Sequence, residues 1–171
     1  MINDLLVSVL VKPTFNIKLL LQFNRMEDIF HLGIKAIIRN SEGRILLLKV
    51  NPKKLKKYSG EPYWDIPGGR IHKNSNIEDT LKREVREETG ITSISSFSPF
   101  TMVLSNNVRI PVGADTVGLI LSSYICNVGD IKSITISDEH IDFGWFSPKE
   151  TGELLAIKYP KEFVDKLSEL K

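Results

Sequence analysis

The chain has 171 residues, of which 42% are apolar and 26% are charged, and these values are ordinary for a globular protein with one domain. Lys and Arg number 23 against 21 Asp and Glu, so net charge alone gives no reason to expect binding to nucleic acid or to a membrane surface. The single cysteine, Cys126, excludes an internal disulfide, and no apolar run reaches the roughly 18 residues of a spanning helix, so we expect a cytoplasmic protein in a reducing compartment.

The first 25 residues differ from the rest of the sequence. They hold two apolar runs, residues 5–11 and 17–23, whereas the first well-patterned strand begins only after Met26. The first run is short and lacks the basic start of a signal peptide. We therefore expect residues 1–25 to be an N-terminal extension and residues 26–171 to be the folded domain. A strand pair added to that domain, and an apolar surface for a homodimer, are the alternatives.

The domain itself combines strand and helix patterns. Residues 31–39 and 44–50 are rich in Ile, Leu and Val and are joined by the turn sequence Asn-Ser-Glu-Gly, which predicts a hairpin. A short strand at 63–66 ends at Pro-Gly-Gly. The later pattern predicts a helix at 76–89, strands at 97–104, 114–126 and 142–146, and helices at 148–157 and 160–170. Because strands and helices do not strictly alternate, an α+β fold or a three-layer α/β/α sandwich is favoured.

The loop between the second and third predicted strands is rich in lysine. Four of its residues, at 53, 54, 56 and 57, are lysines. A solvated loop explains such a run, and attraction of a phosphate-rich ligand is the alternative.

The helix predicted at 76–89 has recognisable ends and one unusual face. Ser75 followed by Glu78 is the pattern of a capping box, and Gly90 provides a left-handed stop. Near that stop, Glu84, Glu87 and Glu88 fall within an arc of about 100° on the helix surface. Three carboxylates at the negative end of the helix dipole require a positive partner.

Two kinds of positive partner are possible for these carboxylates. Arg83 lies one turn before Glu87 and would pair with it on an ordinary salt-bridged helix face. The alternative is Mg²⁺ or Mn²⁺, which prefer hard oxygen ligands.

The spacing around the carboxylates resembles the Nudix box. Gly69 is followed after thirteen residues by Arg83-Glu84, after two more by Glu87-Glu88, and after one more by Gly90-Ile91. The family pattern is Gly-x5-Glu-x7-Arg-Glu-U-x-Glu-Glu-x-Gly-U, where U is aliphatic, and the predicted strand, loop and helix supply the context that such a motif needs. The first glutamate of the pattern is Ser75 here, which leaves the number of metal ions open.

The resemblance implies the Nudix fold, with a mixed β-sheet between helices, and a hydrolase that uses Mg²⁺ or Mn²⁺. Such an enzyme cleaves a phosphoanhydride in a nucleoside diphosphate linked to another group, so its substrate would be a small nucleotide. A nucleoside triphosphate, a nucleotide sugar and a dinucleoside polyphosphate all satisfy that description. Residue by residue, the metal ligands would be Glu84, Glu87, Glu88 and the carbonyl of Gly68, and Arg83 would orient Glu87.

The reaction also requires a general base. Glu139 lies in the loop sequence Ser-Asp-Glu-His before the last predicted strand, and related enzymes often supply an acid from such a loop. Glu87 and Glu88 are rival candidates, and an ordinary surface carboxylate is an equally good interpretation of Glu139.

Two other functions are compatible with the resemblance. A non-catalytic Nudix-like domain that binds a nucleotide or RNA as a sensor is favoured by Ser75 and opposed by the complete Arg-Glu-x-x-Glu-Glu sequence. Isomerase chemistry on a diphosphate lipid precursor would need an active-site cysteine. Cys126 lies in an apolar strand pattern, which predicts an inert buried thiol instead.

Overall fold

A computed structural model of the chain describes residues 27–55, 60–106, 108–128, 131 and 133–170. The proposed extension at residues 1–25, together with the homodimer surface assigned to it, lies outside the described residues. Within the described ranges, no helix is long and apolar enough to cross a membrane.

The described residues form strands and helices in the order that the sequence predicts, with shifted ends. They are β1 (Phe30–Ile38), β2 (Ile45–Val50), β3 (Trp64–Asp65), α1 (Ile77–Thr89), β4 (Ile94–Leu104), β5 (Ile110–Val112), β6 (Asp115–Val128), β7 (His140–Phe146), α2 (Pro148–Leu155) and α3 (Lys161–Ser168). Strand β5 was not predicted, because three residues with a central proline give little strand pattern.

The strands form two sheets. The first has the order β1-β6-β4, with β5 also paired to β6. In this sheet β1 and β6 run parallel, whereas β4 and β5 run antiparallel to β6. The second sheet is antiparallel and has the order β3-β2-β7. The first sheet is therefore the expected mixed sheet, and the second is separate from it.

The predicted hairpin between β1 and β2 is wrong in its pairing. Its turn forms, since the amide of Gly43 donates to the carbonyl of Asn40 at 3.0 Å and Gly43 takes a φ of 74°. The two strands then separate after a single bridge between Arg39 and Ile45. They continue into different sheets.

The reason lies in the second edge of β1. One edge pairs with β6 along the whole strand. On the other edge, the amides of Ile34 and Ala36 donate to the carbonyls of Gly69 and Pro67, each at 2.8 Å. The Pro-Gly-Gly loop therefore takes the place where β2 would have paired, and each edge can serve only one partner.

Two apolar clusters lie on opposite faces of the strands. The cluster against α1 consists of Ile34, Ala36, Ile38, Leu46, Leu48, Leu81, Val85, Tyr124 and Cys126. The cluster against α2 and α3 consists of Ile37, Ile45, Leu47, Ile66, Phe100, Val103, Leu119, Leu121, Leu155, Tyr159, Phe163 and Leu167. Because β1 and β2 contribute alternate residues to both clusters, helices cover both faces, and the predicted α/β/α layering is confirmed.

Helix α1 begins with a different cap from the predicted one. The side chain of Asn76 accepts a hydrogen bond from the amide of Asp79 at 2.8 Å. The hydroxyl of Ser75 lies instead 3.3 Å from Oγ1 of Thr80. The predicted capping box of Ser75 is therefore wrong, since Asn is an equally good N-cap residue and lies one position closer to the helix. The helix ends at Gly90 with a φ of 73°, as predicted.

The only cysteine of the chain gives a direct test of the core. Cys126 is 1% exposed, and burial raises the pKa of its thiol to about 12. We expect no reaction of the native protein with a chromogenic disulfide reagent at mildly alkaline pH, because the reactive thiolate is scarce and enclosed. The same assay in guanidinium should release one thiol per chain, and rapid reaction without denaturant would contradict the packing of β6.

Candidate active site

Helix α1 and two loops surround a groove of about 370 Å³. Its lining consists of Gly68, Gly69, Arg70, His72, Arg83, Glu84, Glu87, Glu88, Ser137, Asp138 and Glu139. All of the site residues predicted from the sequence lie in this lining, namely Gly68, Arg83, Glu84, Glu87, Glu88 and Glu139. The structure therefore brings the loop before β7 to the same groove as the carboxylates of α1. Arg70 and His72 were not among the predicted residues.

Glu88 is a buried carboxylate of the groove. Its side chain is 12% exposed, its Oε2 accepts a hydrogen bond from the amide of Gly68 at 2.7 Å, and its Oε1 lies 3.9 Å from Nε2 of His140. Burial raises the pKa of Glu88 to about 7, although the positive charge of Lys35 acts in the opposite direction. A carboxyl group with this pKa can exchange a proton near neutral pH.

Arg83 contacts the two other carboxylates of the helix that line the groove. Its Nη1 donates to Oε2 of Glu87 at 3.1 Å, and its Nη2 lies 2.6 Å from Oε1 of Glu84. The side chain of Glu84 is 12% exposed and that of Glu87 is 51% exposed. Arg83 therefore joins an inner carboxylate to an outer one, and it contacts Glu87 as the resemblance implies.

The chemistry of the lining suits a hard divalent cation. Five of the lining residues are carboxylates and two are arginines, so the groove has an excess of acidic groups. Among the described residues, no three His, Cys, Asp or Glu side chains converge on one point as the ligands of a bound metal would. Carboxylates on neighbouring turns of one helix are nevertheless the donors that Mg²⁺ and Mn²⁺ prefer.

The carbonyl of Gly68, the fourth ligand that the resemblance implies, accepts a hydrogen bond from Nζ of Lys35 at 2.9 Å. A carbonyl oxygen has two lone pairs, so an oxygen that accepts one hydrogen bond can still bind a cation. Gly68 therefore stays a predicted metal ligand beside Glu84, Glu87 and Glu88.

A buried charged network lies beneath the Pro-Gly-Gly loop. Nζ of Lys35 contacts Oδ2 of Asp65 at 2.9 Å, Nζ of Lys158 contacts the same oxygen, and the hydroxyl of Tyr159 donates to Oδ1 at 2.8 Å. Burial would raise the pKa of Asp65, but the charges of Lys158 and Lys35 outweigh it and hold that pKa well below its usual value. This network was not among the predictions from the sequence, although a lone lysine in the apolar pattern of β1 is a recognisable anomaly.

The loop that carries Glu139 is anchored to the chain just after β2. The amide of Asn51 donates to the carbonyl of Glu139 at 2.8 Å, and its side-chain amide donates to the carbonyl of Asp138 at 3.1 Å. The ammonium of Lys54 pairs with the carboxylate of Asp138. Lys54 of the lysine-rich loop therefore contacts the loop that carries Glu139. Residues 56 and 57 lie outside the described ranges.

The two glycines of the loop should respond differently to alanine. Gly68 has a φ of 134°, and a Cβ there would overlap the backbone of Ile34 and lie 2.9 Å from Cα of Lys35, whereas a Cβ on Gly69 would overlap only the carboxylate of Glu84. We expect Gly68→Ala to lower the free energy of unfolding by about 2 kcal/mol or more, because backbone cannot move aside. Gly69→Ala should keep its stability and bind Mg²⁺ more weakly, because it displaces Glu84.

Denaturant unfolding and calorimetric titration with Mg²⁺ measure these two effects separately. Each variant serves as the control for the other. An equal loss of stability in both would contradict the close approach of Gly68 to β1.

Comparison with known proteins finds a family and relatives that this chain is similar to. The family model of the NUDIX domain matches residues 29–167. The nucleoside triphosphatase NudI of Escherichia fergusonii is 34% identical over 95 residues, which cover 53% of this chain and 65% of that protein. The chain therefore spans slightly less than two thirds of the length of this curated relative.

Solved structures share the arrangement of strands and helices. The MutT protein of Methanosarcina mazei Go1 aligns with a TM-score of 0.54 at 27% identity, over 84% of this chain and 94% of that one. An Ap4A hydrolase of C. elegans aligns with a TM-score of 0.57 at 15% identity, over 80% of this chain and 92% of that one, which shows a common fold. Since the family model covers most of the sequence and the box residues lie together at one groove, this chain belongs to the NUDIX domain family.

Proposed function

We propose that this protein is a divalent-cation-dependent hydrolase that cleaves a phosphoanhydride bond in a nucleotide derivative. The observation that carries the proposal is the groove itself, where Glu84, Glu87 and Glu88 of α1 meet Glu139 from a distant loop. A merely solvated helix face explains neither the buried Glu88 nor the arrival of a fourth carboxylate.

A nucleoside triphosphate is the first substrate class to test. The curated relative is named a nucleoside triphosphatase, and its match covers part of that protein. Arg70 and His72 line the groove next to the carboxylates, and the N–H groups of a guanidinium and an imidazole in such a position can donate to phosphate oxygens. Nucleotide sugars and dinucleoside polyphosphates contain the same bond and are the alternatives.

The residues of the groove divide the chemical work. Glu84, Glu87 and Glu88, together with the carbonyl of Gly68, would hold Mg²⁺ or Mn²⁺, and the ion would neutralise phosphate oxygens and lower the pKa of the attacking water. Arg83 keeps Glu84 and Glu87 oriented toward the groove.

Proton transfer requires a separate group. Glu139 accepts a proton from the attacking water while the oxygen of that water forms a bond to phosphorus. Glu88 is the rival candidate for this role. The bond between phosphorus and the bridging oxygen breaks, and the leaving phosphate keeps the electron pair.

Hydrolysis should depend on both the cation and Glu87. We expect hydrolysis of at least one of the three substrate classes with Mg²⁺ and none after chelation. A nucleoside triphosphate would release phosphate or pyrophosphate, and added pyrophosphatase converts the latter to phosphate. A nucleotide sugar or a dinucleoside polyphosphate would give two phosphorylated products, from which added alkaline phosphatase frees phosphate. Because a metal ion contributes several kcal/mol to such a reaction and each ~1.4 kcal/mol is tenfold in rate, Glu87→Gln should lower kcat by at least about a hundredfold. Release of phosphate measured by a coupled colorimetric assay tests this.

Glu153→Gln is a matched control, because it removes one exposed carboxylate from α2, outside the groove. It should leave kcat unchanged. Nucleotide binding without turnover in the wild-type protein would reject the hydrolase and favour the sensor interpretation, to which Ser75 already points.

The general base can be identified by comparing two substitutions. We expect Glu139→Gln to lower kcat by about 10²–10⁴-fold without changing the Mg²⁺ concentration for half-maximal rate, since it removes only proton transfer. Glu88→Gln should also raise that Mg²⁺ concentration, because it removes a ligand. Initial rates over a range of Mg²⁺ concentrations and pH distinguish the two.

Asp138→Asn is the control for disturbance of the Glu139 loop, because it breaks the pair with Lys54 and keeps Glu139. Near-normal turnover of Glu139→Gln would remove this residue from the mechanism and leave Glu88 as the base.

A further inference from the structure

A buried lysine lies beneath the groove at a place where the fold alone does not require a charge. Lys35 is 5% exposed and belongs to β1, whose neighbouring residues are apolar and buried. A lysine in such surroundings has lost its hydration, so each of its three N–H donors needs a partner within the protein.

All three donors of Lys35 have an acceptor. Nζ donates to Oδ2 of Asp65 at 2.9 Å, to the carbonyl of Ile66 at 2.8 Å and to the carbonyl of Gly68 at 2.9 Å. Two of these acceptors are backbone oxygens of the loop that leads into the groove. Because the donors of an ammonium group point in fixed tetrahedral directions, Lys35 sets the positions of both carbonyls at once.

Gly68 connects this lysine to the groove. Its carbonyl accepts from Lys35, and its amide donates to Oε2 of Glu88 at 2.7 Å. Its φ of 134° is a backbone conformation that side chains other than glycine rarely adopt. The direction of the amide toward Glu88 therefore depends on how the carbonyl of the same residue is held.

Neutralisation of Asp65 does not explain Lys35. Nζ of Lys158 contacts the same carboxylate oxygen, and the hydroxyl of Tyr159 donates to the other. One carboxylate with two lysines has an excess of positive charge, and a single buried lysine would suffice for pairing. The bonds from Lys35 to the loop carbonyls are what distinguish it from Lys158.

We propose that Lys35 is a positioning residue for phosphoanhydride hydrolysis, which acts through Gly68 to fix the orientation of Glu88. The inference rests on the proposed function and deepens it, because it makes the geometry of the groove depend on a residue of β1 that lies outside the box. Lys35 itself touches neither the substrate nor the reacting atoms.

Lys35→Met and Lys158→Met form a matched pair for the test. Both remove one lysine from Asp65, and only the first removes the bonds to the loop carbonyls. We expect Lys35→Met to lower kcat by about 10–100-fold, the usual effect of removing a partner that orients a ligand, and to leave KM little changed. Lys158→Met should lower the free energy of unfolding and keep kcat.

Amide hydrogen exchange gives a second readout that needs no turnover. In the protein without metal, the amide of Gly68 should exchange faster in Lys35→Met than in the wild type. The reason is that its hydrogen bond to the carboxylate of Glu88 is no longer held in a fixed direction. The amide of Ala36, which donates to the carbonyl of Pro67, should stay protected in the same variant. That combination would show that the loop is still bound to β1, whereas the amide of Gly68 is no longer held against Glu88.

Other outcomes would overturn the proposal. Unchanged Gly68 exchange with unchanged kcat in Lys35→Met, or equal losses of kcat in the two lysine variants, would assign Lys35 to stability alone. If Lys35→Met does not fold, Lys35→Gln is the second variant, because its amide group retains donors for the loop. It should show a smaller decrease in kcat and a smaller increase in Gly68 exchange. Wild-type kcat and wild-type exchange in the folded Lys35→Gln variant would also reject the role. A wild-type protein without Mg²⁺-dependent turnover rejects the proposed function, whereas the exchange measurement still tests the link from Lys35 to Gly68.

Discussion

The Pro-Gly-Gly loop is bound to strand β1 by backbone hydrogen bonds, and the geometry of the groove depends on this attachment. The amides of Ile34 and Ala36 donate to the loop on the edge of β1 that does not pair with β6. Because these bonds bring the loop close to β1, Gly68 has no room for a side chain. The same attachment separates β1 from β2 and so produces two sheets where one hairpin would have formed.

The charges around the loop lie in two layers. Above it is a groove with an excess of carboxylates, and below it are two buried lysines that share Asp65. Burying such charges is costly unless each is paired and hydrogen-bonded. Here the hydrogen bonds from the network to the loop offset part of that cost. The ammonium of Lys35, which binds the carbonyl of Gly68, also provides positive charge near the buried Glu88.

The two sheets position different parts of the groove. The first sheet holds the loop that precedes α1, and the second ends in β7, whose preceding loop carries Glu139. Asn51 follows β2 and binds that loop through its backbone amide and its side chain. Because β2 and β7 are paired neighbours, the second sheet sets the distance at which Glu139 faces the carboxylates of α1.

The sequence by itself determined the box, the helix with its stop at Gly90, the layering and the buried thiol, because these depend on local spacing and on periodic burial. Only the tertiary structure decided the partner of β1, the cap of α1 and the contacts of Lys35. Lys35 and Asp65 are 30 residues apart, and the acceptors of a buried charge cannot be read from its neighbours in the chain. Sheet pairing likewise depends on which segment occupies each edge of a strand, and here a loop without any strand pattern occupies the free edge of β1.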